Sequence, residues 1–145
     1  MARWRWAGVA AAVLGLAGCG GGDLASPTGA TSASALLGPT WRLTSINGQA
    51  VVAGTSVTAE FASEERVSGR AGCNLYFGSA RAEDGGRLAV GPLASTMMAC
   101  APQSVMDQET QYLATLQAAT SYSVSGGELR LGPSAAGTTL VFTSR

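Results

Sequence analysis

The chain has no histidine and no lysine among its 145 residues. Without histidine it lacks the commonest general base and the commonest metal ligand. Ser95-Thr96 therefore has no imidazole to activate it, which argues against Ser–His hydrolysis. The missing lysine, alongside abundant Ala, Gly and Arg, reads as the imprint of a high-GC genome. It also means that Gly126-Gly127 opens no phosphate-cradling loop, because no helix carrying a lysine follows. There is no C-x-x-C pair. Charge is sparse at 12% of residues, nine arginines balancing nine acids. Setting aside residues 1–18 leaves seven arginines against nine acids, a net −2. Such a chain offers no basic surface to a phosphate backbone, so nucleic acid is not an expected partner. A long apolar run is also missing. Trp6 to Ala17 is 12 residues, about 18 Å as a helix against about 30 Å of bilayer hydrocarbon.

That short run has a different use. It follows Arg3 and Arg5 and ends in Leu16-Ala17-Gly18-Cys19, giving the positive end, apolar middle and small residues of an export signal. The last four residues resemble the lipobox of bacterial lipoproteins. The resemblance implies cleavage before Cys19, a diacylglyceryl thioether on its sulfur and a third acyl chain on the new amine. Two or more chains anchor a protein stably. An ordinary signal peptide with a chance cysteine is the alternative. Gly20, where an aspartate would favour inner-membrane retention, points to the outer membrane facing the periplasm in a Gram-negative source. The expected organisation is a signal peptide over 1–18, the lipidated cysteine and a flexible tether over 19–37, and one domain over 38–145. The tether is Gly, Ser, Ala, Thr and Pro with little apolar bulk, too little to offset its ordering entropy; its reach is about 20–25 Å.

From Leu36 onward large apolar residues become regular. Trp41 and Leu43 alternate with Arg42 and Thr44, then Asn47-Gly48 supplies a strong hairpin signal. Val57 to Phe61 alternates again. Val67 to Arg70 and Cys73 to Phe77 read as strands meeting near Gly69 and Gly72. Asp84-Gly85-Gly86 turns before Leu88-Ala89-Val90. Tyr122 to Val124, Gly126-Gly127 and Leu129 to Leu131 form a further hairpin, and Thr139 to Phe142 a last strand. Ser104 to about Ala119 lacks Gly and Pro and places Val105, Met106, Glu109, Tyr112, Leu113 and Leu116 near one face. Pro102 can open this helix, and Asp107 and Glu109 suit its first turns.

Several of these segments carry a family pattern. Gly69-Arg70-Ala71-Gly72-Cys73-Asn74-Leu75-Tyr76-Phe77-Gly78 resembles the G-x-x-G-C-N-x-Y-x-G core of the META domain, also called HslJ-like. Thr96-Met97-Met98-Ala99-Cys100 is similar to its T-x-M-A-C signature, and Glu109 with Tyr112-Leu113 and Leu116 to its helix motif. Trp41-Arg42-Leu43 with Asn47-Gly48, and the pair Leu129-Arg130-Leu131 and Leu140-Val141-Phe142, match its opening and closing strands. The resemblance covers about residues 39–143. It implies an α+β fold: a small, mostly antiparallel sheet curled into a partly open barrel with one α-helix. It also implies an association with envelope and heat-shock stress and with antibiotic tolerance, no enzymatic activity being established for the family. Such domains often follow a lipobox.

The residues able to do chemistry are few. Cys73 and Cys100, 27 positions apart, fit one structural disulfide in an oxidising compartment; free thiols, or a redox or copper pair, are the alternatives. Asn74 suits a turn, its side chain copying a backbone hydrogen bond, or a ligand contact. Glu109 either caps backbone donors or serves as a general base, although no partner acid or nucleophile is recognisable. Thr96, from the T-x-M-A-C signature, is a further candidate for a ligand or structural role. Glu64-Glu65 and Glu83-Asp84 read as solvated turns. Trp41, Phe61, Tyr76, Phe77 and Phe142 are expected in the core, with Met97 and Met98 as packing. No catalytic residue, metal or cofactor is expected. The expected protein is a non-catalytic, monomeric envelope lipoprotein that meets the membrane through its anchor and binds an envelope protein or an apolar ligand. A pilot-like chaperone holding an acyl chain or a partner helix in the barrel, and a secreted inhibitor presenting a loop at 79–87 or 132–138, are the alternatives.

Overall fold

The computed structural model describes residues 31–133 and 139–145. The signal segment, Cys19, most of the tether and most of the 132–138 loop lie outside them. Among the described residues a 3-10 turn, Ala33–Leu36, precedes nine strands and one helix. These are β1 (Thr40–Ile46), β2 (Gln49–Ala50), β3 (Thr58–Ser63), β4 (Arg66–Arg70), β5 (Leu75–Glu83), β6 (Arg87–Ser95), α1 (Gln103–Ala118), β7 (Ser121–Ser125), β8 (Glu128–Gly132) and β9 (Leu140–Ser144).

The turn chemistry decides most of the connections. Asn47 and Gly48 both take positive φ, at 53° and 77°, the conformation that suits a tight hairpin to strand twist. Gly126 and Gly127 do the same between β7 and β8. The strands run antiparallel in the order β2-β1-β3-β4-β5-β6-β7-β8-β9, and β1 also pairs with β9 along Trp41 to Ile46. That pairing closes eight strands into the expected barrel, with β2 extending the hairpin beside β1. The closure is thin at one seam. β6 and β7 share a single register pair, Arg87↔Ser121, beyond which the two strands diverge. The amide of Leu93, past the seam on β6, donates to the Gln117 side chain of α1, so the helix covers the stretch that lacks a strand partner.

Alternation along the strands fills the interior. Trp41, Leu43, Tyr76, Leu129, Leu131 and Phe142 are buried there. Burial of such side chains, at roughly 1.5–3 kcal/mol each, drives the closure. From α1, Val105, Gln108, Glu109, Tyr112 and Leu116 are buried. The Tyr112 ring meets Tyr76 and Phe142 edge-on, with centroids 5.6 and 6.3 Å away. The two tyrosine hydroxyls lie 2.7 Å apart, and that of Tyr76 donates to the Thr58 carbonyl at 2.9 Å. Burial pushes the pKa of both hydroxyls upward.

The structure corrects several boundaries. The tether ends earlier than residue 37. Leu36 is fully buried and its carbonyl accepts the Trp41 Nε1–H at 3.0 Å, while the Ala33 amide donates to Asp84 at 2.9 Å. Small residues therefore hid a folded turn. The helix starts at Gln103, so Asp107 and Glu109 fall beyond its first turn. Residues 79–87 are not a loop but the paired ends of β5 and β6 around a short turn. Cys73 and Asn74 form the turn before β5 rather than its first residues, because Gly72 leaves the strand path with φ at 119°.

Candidate functional site

The motif residues converge at the end of the barrel where α1 begins. Two glycines prepare the approach. A Cβ at Gly69 would stand 2.0 Å from the Thr58 carbonyl oxygen, so β3 and β4 can close to this distance only with glycine there. Gly72 then takes its positive φ and delivers the amides of Cys73 and Asn74 toward α1. Glu109, half-way along the helix and only 5% exposed, receives them: Oε2 accepts the Cys73 amide at 3.1 Å and the Asn74 amide at 2.7 Å. Oε1 accepts Asn74 Nδ2 at 2.6 Å.

Asn74 passes the constraint on. Its Nδ2 also donates to the Met98 carbonyl at 3.0 Å, and its Oδ1 accepts the Thr96 hydroxyl at 2.8 Å and the Met98 amide at 2.7 Å. Thr96 in turn accepts the Leu75 amide at 3.1 Å. The asparagine amide thus uses two donors and two acceptor positions, its full capacity in this geometry. A disulfide joins Cys73 to Cys100 around the same segment, with Cα atoms 5.9 Å apart. The sequence paired Cys73 with Cys100 as a disulfide, which is present, and left Asn74, Thr96 and Glu109 as separate candidates; the fold makes all five one scaffold.

What this scaffold can do chemically follows from its saturation. Every polar atom of Asn74 is spent on protein, and Glu109 faces three N–H donors with no ionisable partner beside it. Among the described residues no group of three or more His, Cys, Asp or Glu is placed to hold a metal ion. What the scaffold holds is a short run of apolar residues in solvent. Met97 is 97% exposed and Met98 55%, beside Leu75 at 52% and Phe77 at 59%. This overturns the expectation that Phe77 is core and that the two methionines pack. Tyr76 takes the inward position, and strict alternation sends Leu75 and Phe77 out.

Sequence reasoning also missed Gln108. It is buried, accepts the Val52 amide and donates to Thr55 Oγ1 at 3.1 Å, tying the 51–56 loop to α1. Its spacing from Val105, Tyr112 and Leu116 was the available signal. Glu64 and Glu65 occupy an exposed turn. Glu83 pairs with Arg87 at 2.8 Å on the surface, and Asp84 caps the first turn.

A family model of the META domain matches residues 34–145. Among solved structures, an NMR structure of a protein from Burkholderia xenovorans is 27% identical, covering 78% of this chain and 86% of that one with a TM-score of 0.62. A second NMR structure, 24% identical, covers 77% of this chain and 93% of that one, again with a TM-score of 0.62, and speaks to the fold alone. No curated protein matches. With the family match spanning most of the residues and the motif side chains meeting in one scaffold, this chain belongs to the META domain family.

Proposed function

We propose that this protein is a non-catalytic binding module of the bacterial envelope, held at the membrane by acyl chains on Cys19 and linked to envelope stress. The observation that carries the reading is that Asn74 spends its whole side-chain amide on Glu109, Thr96 and the Met98 backbone. A catalytic acid or base must reach a substrate proton, whereas Asn74 and Glu109 are buried and the exposed Thr96 spends its hydroxyl on Asn74 and the Leu75 amide. They fix a surface instead. The export segment, Leu16 to Cys19 and the small-residue tether support the anchored location. The packed barrel interior speaks against an acyl chain held inside the barrel, the pilot-like alternative. Of the inhibitor alternative's two loops, 79–87 is lost to paired strands.

Metabolic labelling with an alkyne fatty acid tests the anchor. Wild-type protein should carry the label and fractionate with membranes, and Cys19→Ser should lose both. An unlabelled, freely soluble wild type would end the anchored reading.

A further inference from the structure

The stripe of α1 that meets the β1–β2 hairpin is polar where a packed helix is normally apolar. Val105, Tyr112 and Leu116 are buried at helical spacing, and position 108 continues their row, yet it holds glutamine. Ser104, Asp107 and Gln111 lie along the same side of the helix. Facing them are Ile46, Gln49 and, on the loop after the hairpin, Val52. Between the two sets is a hollow of about 230 Å³. Burying an amide costs free energy unless its hydrogen bonds are made. Gln108 is 7% exposed, its Oε1 accepts the Val52 amide, and its Nε2 donates to Thr55 Oγ1 at 3.1 Å. An amide nitrogen carries two hydrogens, and among the described residues these bonds use one. Gln108 therefore walls the hollow with an N–H to spare. The opposite wall is fixed in the same way. Thr55 donates to the Val52 carbonyl from its amide and its hydroxyl, at 3.1 and 2.6 Å, and the Val51 amide donates to the Thr44 carbonyl. The hollow is built before anything enters it, which lowers the ordering cost of binding.

We infer that this hollow binds a primary ammonium on a short aliphatic stem, the chemistry of the side chain of lysine or another diamino acid. The inference rests on the binding-module reading, to which it gives a ligand class, and stands apart from the acyl anchor. Charge selects the ammonium. Among the described residues Asp107 is the one charged side chain lining the hollow. One of its oxygens accepts Gln103 Nε2 at 3.0 Å, and it takes part in none of the ion pairs Arg81–Glu83, Arg87–Glu83 and Arg130–Glu128. An anion would meet this carboxylate with no cation in the lining to offset it, whereas an ammonium brings three donors and no acceptor. The side-chain oxygens of Ser104, Gln49 and Gln111 line the same space to receive the remaining donors. Buried Ile46 and half-buried Val52 supply the apolar surface for the stem. The volume sets the size: pockets for drug-sized ligands run to about 300–1,000 Å³, so this one suits a single side chain or a small amine. The chain has no lysine, so no lysine side chain of this protein fills it and the ligand comes from another molecule.

The test uses the full 15N-labelled chain in non-ionic maltoside micelles and reads the side-chain amide signals. The probe is Nα-acetyl-lysine methylamide, with the norleucine and glutamate equivalents as neutral and anionic counterparts. The lysine probe should shift the Gln49, Gln108 and Gln111 signals saturably and leave those of Gln117 and Asn74 in place. It should bind about threefold or more tighter than either counterpart, the range of a partly exposed ion pair. Asp107→Asn should remove that preference, whereas Glu64→Gln, which takes the same charge from the exposed β3–β4 turn, should leave it unchanged. Gln111→Lys sets an ammonium one helical turn from Asp107 and should block the probe; residue 111 is exposed, so this variant keeps the fold. Equal binding of the lysine and norleucine probes, equal shifts at Gln117 or Asn74, an equal loss in Glu64→Gln, or no saturable shift overturns the proposal. If the lysine probe fails while the wild type still takes the fatty-acid label, the ammonium site falls and the anchored module stands. Probe binding without labelling gives the reverse.

Discussion

Replacing Glu109 with alanine strips acceptors from three donors at once, two of them the amides of Cys73 and Asn74. Buried donors left unpaired cost about 1–3 kcal/mol each before water or relaxation recovers part of the loss, so Glu109→Ala should lower unfolding stability by about 3 kcal/mol. Glutamine keeps one oxygen for the two amides but turns an NH2 toward Asn74 Nδ2, and should cost roughly half as much. Urea titration should rank wild type above Gln above Ala, at constant denaturant slope; an unaffected Ala variant would mean that the turn is held by other groups. The paired tyrosines make a second residue-scale prediction. Burial raises the pKa of Tyr76 and Tyr112 above the ordinary value of 10.0. Below pH 10 folded and unfolded chains are protonated alike. Above it the unfolded chain loses protons that the folded one keeps, so stability falls with rising pH. The slope approaches about 1.4 kcal/mol per pH unit for each group. Chemical denaturation between pH 8 and 11.5 should show this decline, and Tyr76→Phe/Tyr112→Phe should flatten it. At this scale the motif letters were readable in the sequence, but their partners were not. Asn74 and Glu109 are 35 positions apart, and only the fold reveals that one accepts from the other. Phe77 was misread because Leu75-Tyr76-Phe77 looks uniformly apolar, although a strand can send only its alternate residues inward.

Elements were legible where local chemistry dictates them. The Asn47-Gly48 and Gly126-Gly127 turns and the helix after Pro102 follow from positive-φ tolerance and from a stretch free of Gly and Pro. Boundaries failed where a tertiary contact overrides the local pattern, as when Gly72 and Asn74 divert Cys73 out of β5. Gly69 shows the limit sharply. Its φ is not positive, so turn chemistry gives no reason for glycine. The reason is the Thr58 carbonyl, 2.0 Å from where a Cβ would sit, with the Thr58 carbonyl carbon at 2.8 Å. Backbone cannot swing aside as a flexible side chain can, so Gly69→Ala must push β3 from β4 and disturb the carbonyl that Tyr76 uses. We expect a loss of about 3 kcal/mol or more, in the range of overpacked cores. The Gly91→Ala change is the informative contrast, since the close neighbour there is the tip of the exposed Ser79 side chain, at 2.1 Å. That hydroxyl can rotate, so Gly91→Ala should cost about 1 kcal/mol or less. Thermal unfolding of the two variants side by side should separate them widely; similar melting temperatures would place the cost elsewhere.

At the scale of the whole molecule, three closures reinforce one another: β1 against β9, α1 over the β6 seam, and the disulfide, which in the chain-entropy model is worth roughly 3.5 kcal/mol for 27 positions of separation. The antiparallel barrel with one helix was readable from the order of strands and the family pattern. The 3-10 turn before β1 was not, because Ala33 to Leu36 reads as the end of a small-residue tether. Yet Leu36 is fully buried and its carbonyl holds the Trp41 indole N–H. Two truncated chains make this a measurement. One begins at Thr31, where the carbonyl meets Gly85; the other begins at Gly38, after the 3-10 turn. The shorter chain leaves a Leu-sized void beside a fully buried tryptophan, and that tryptophan loses its acceptor. Core deletions of this size cost about 2–5 kcal/mol, and an orphaned buried donor about 1–3 more. For a domain of roughly 100 residues that corresponds to a melting temperature lower by on the order of 10 °C or more. Restoring only Leu36 and Leu37, in a chain that begins at Leu36, should recover most of the difference, because it returns both the side chain and the carbonyl. If the chains beginning at Thr31 and Gly38 melt together, the turn is an ornament on the barrel, and the folded unit starts where composition alone would have put it.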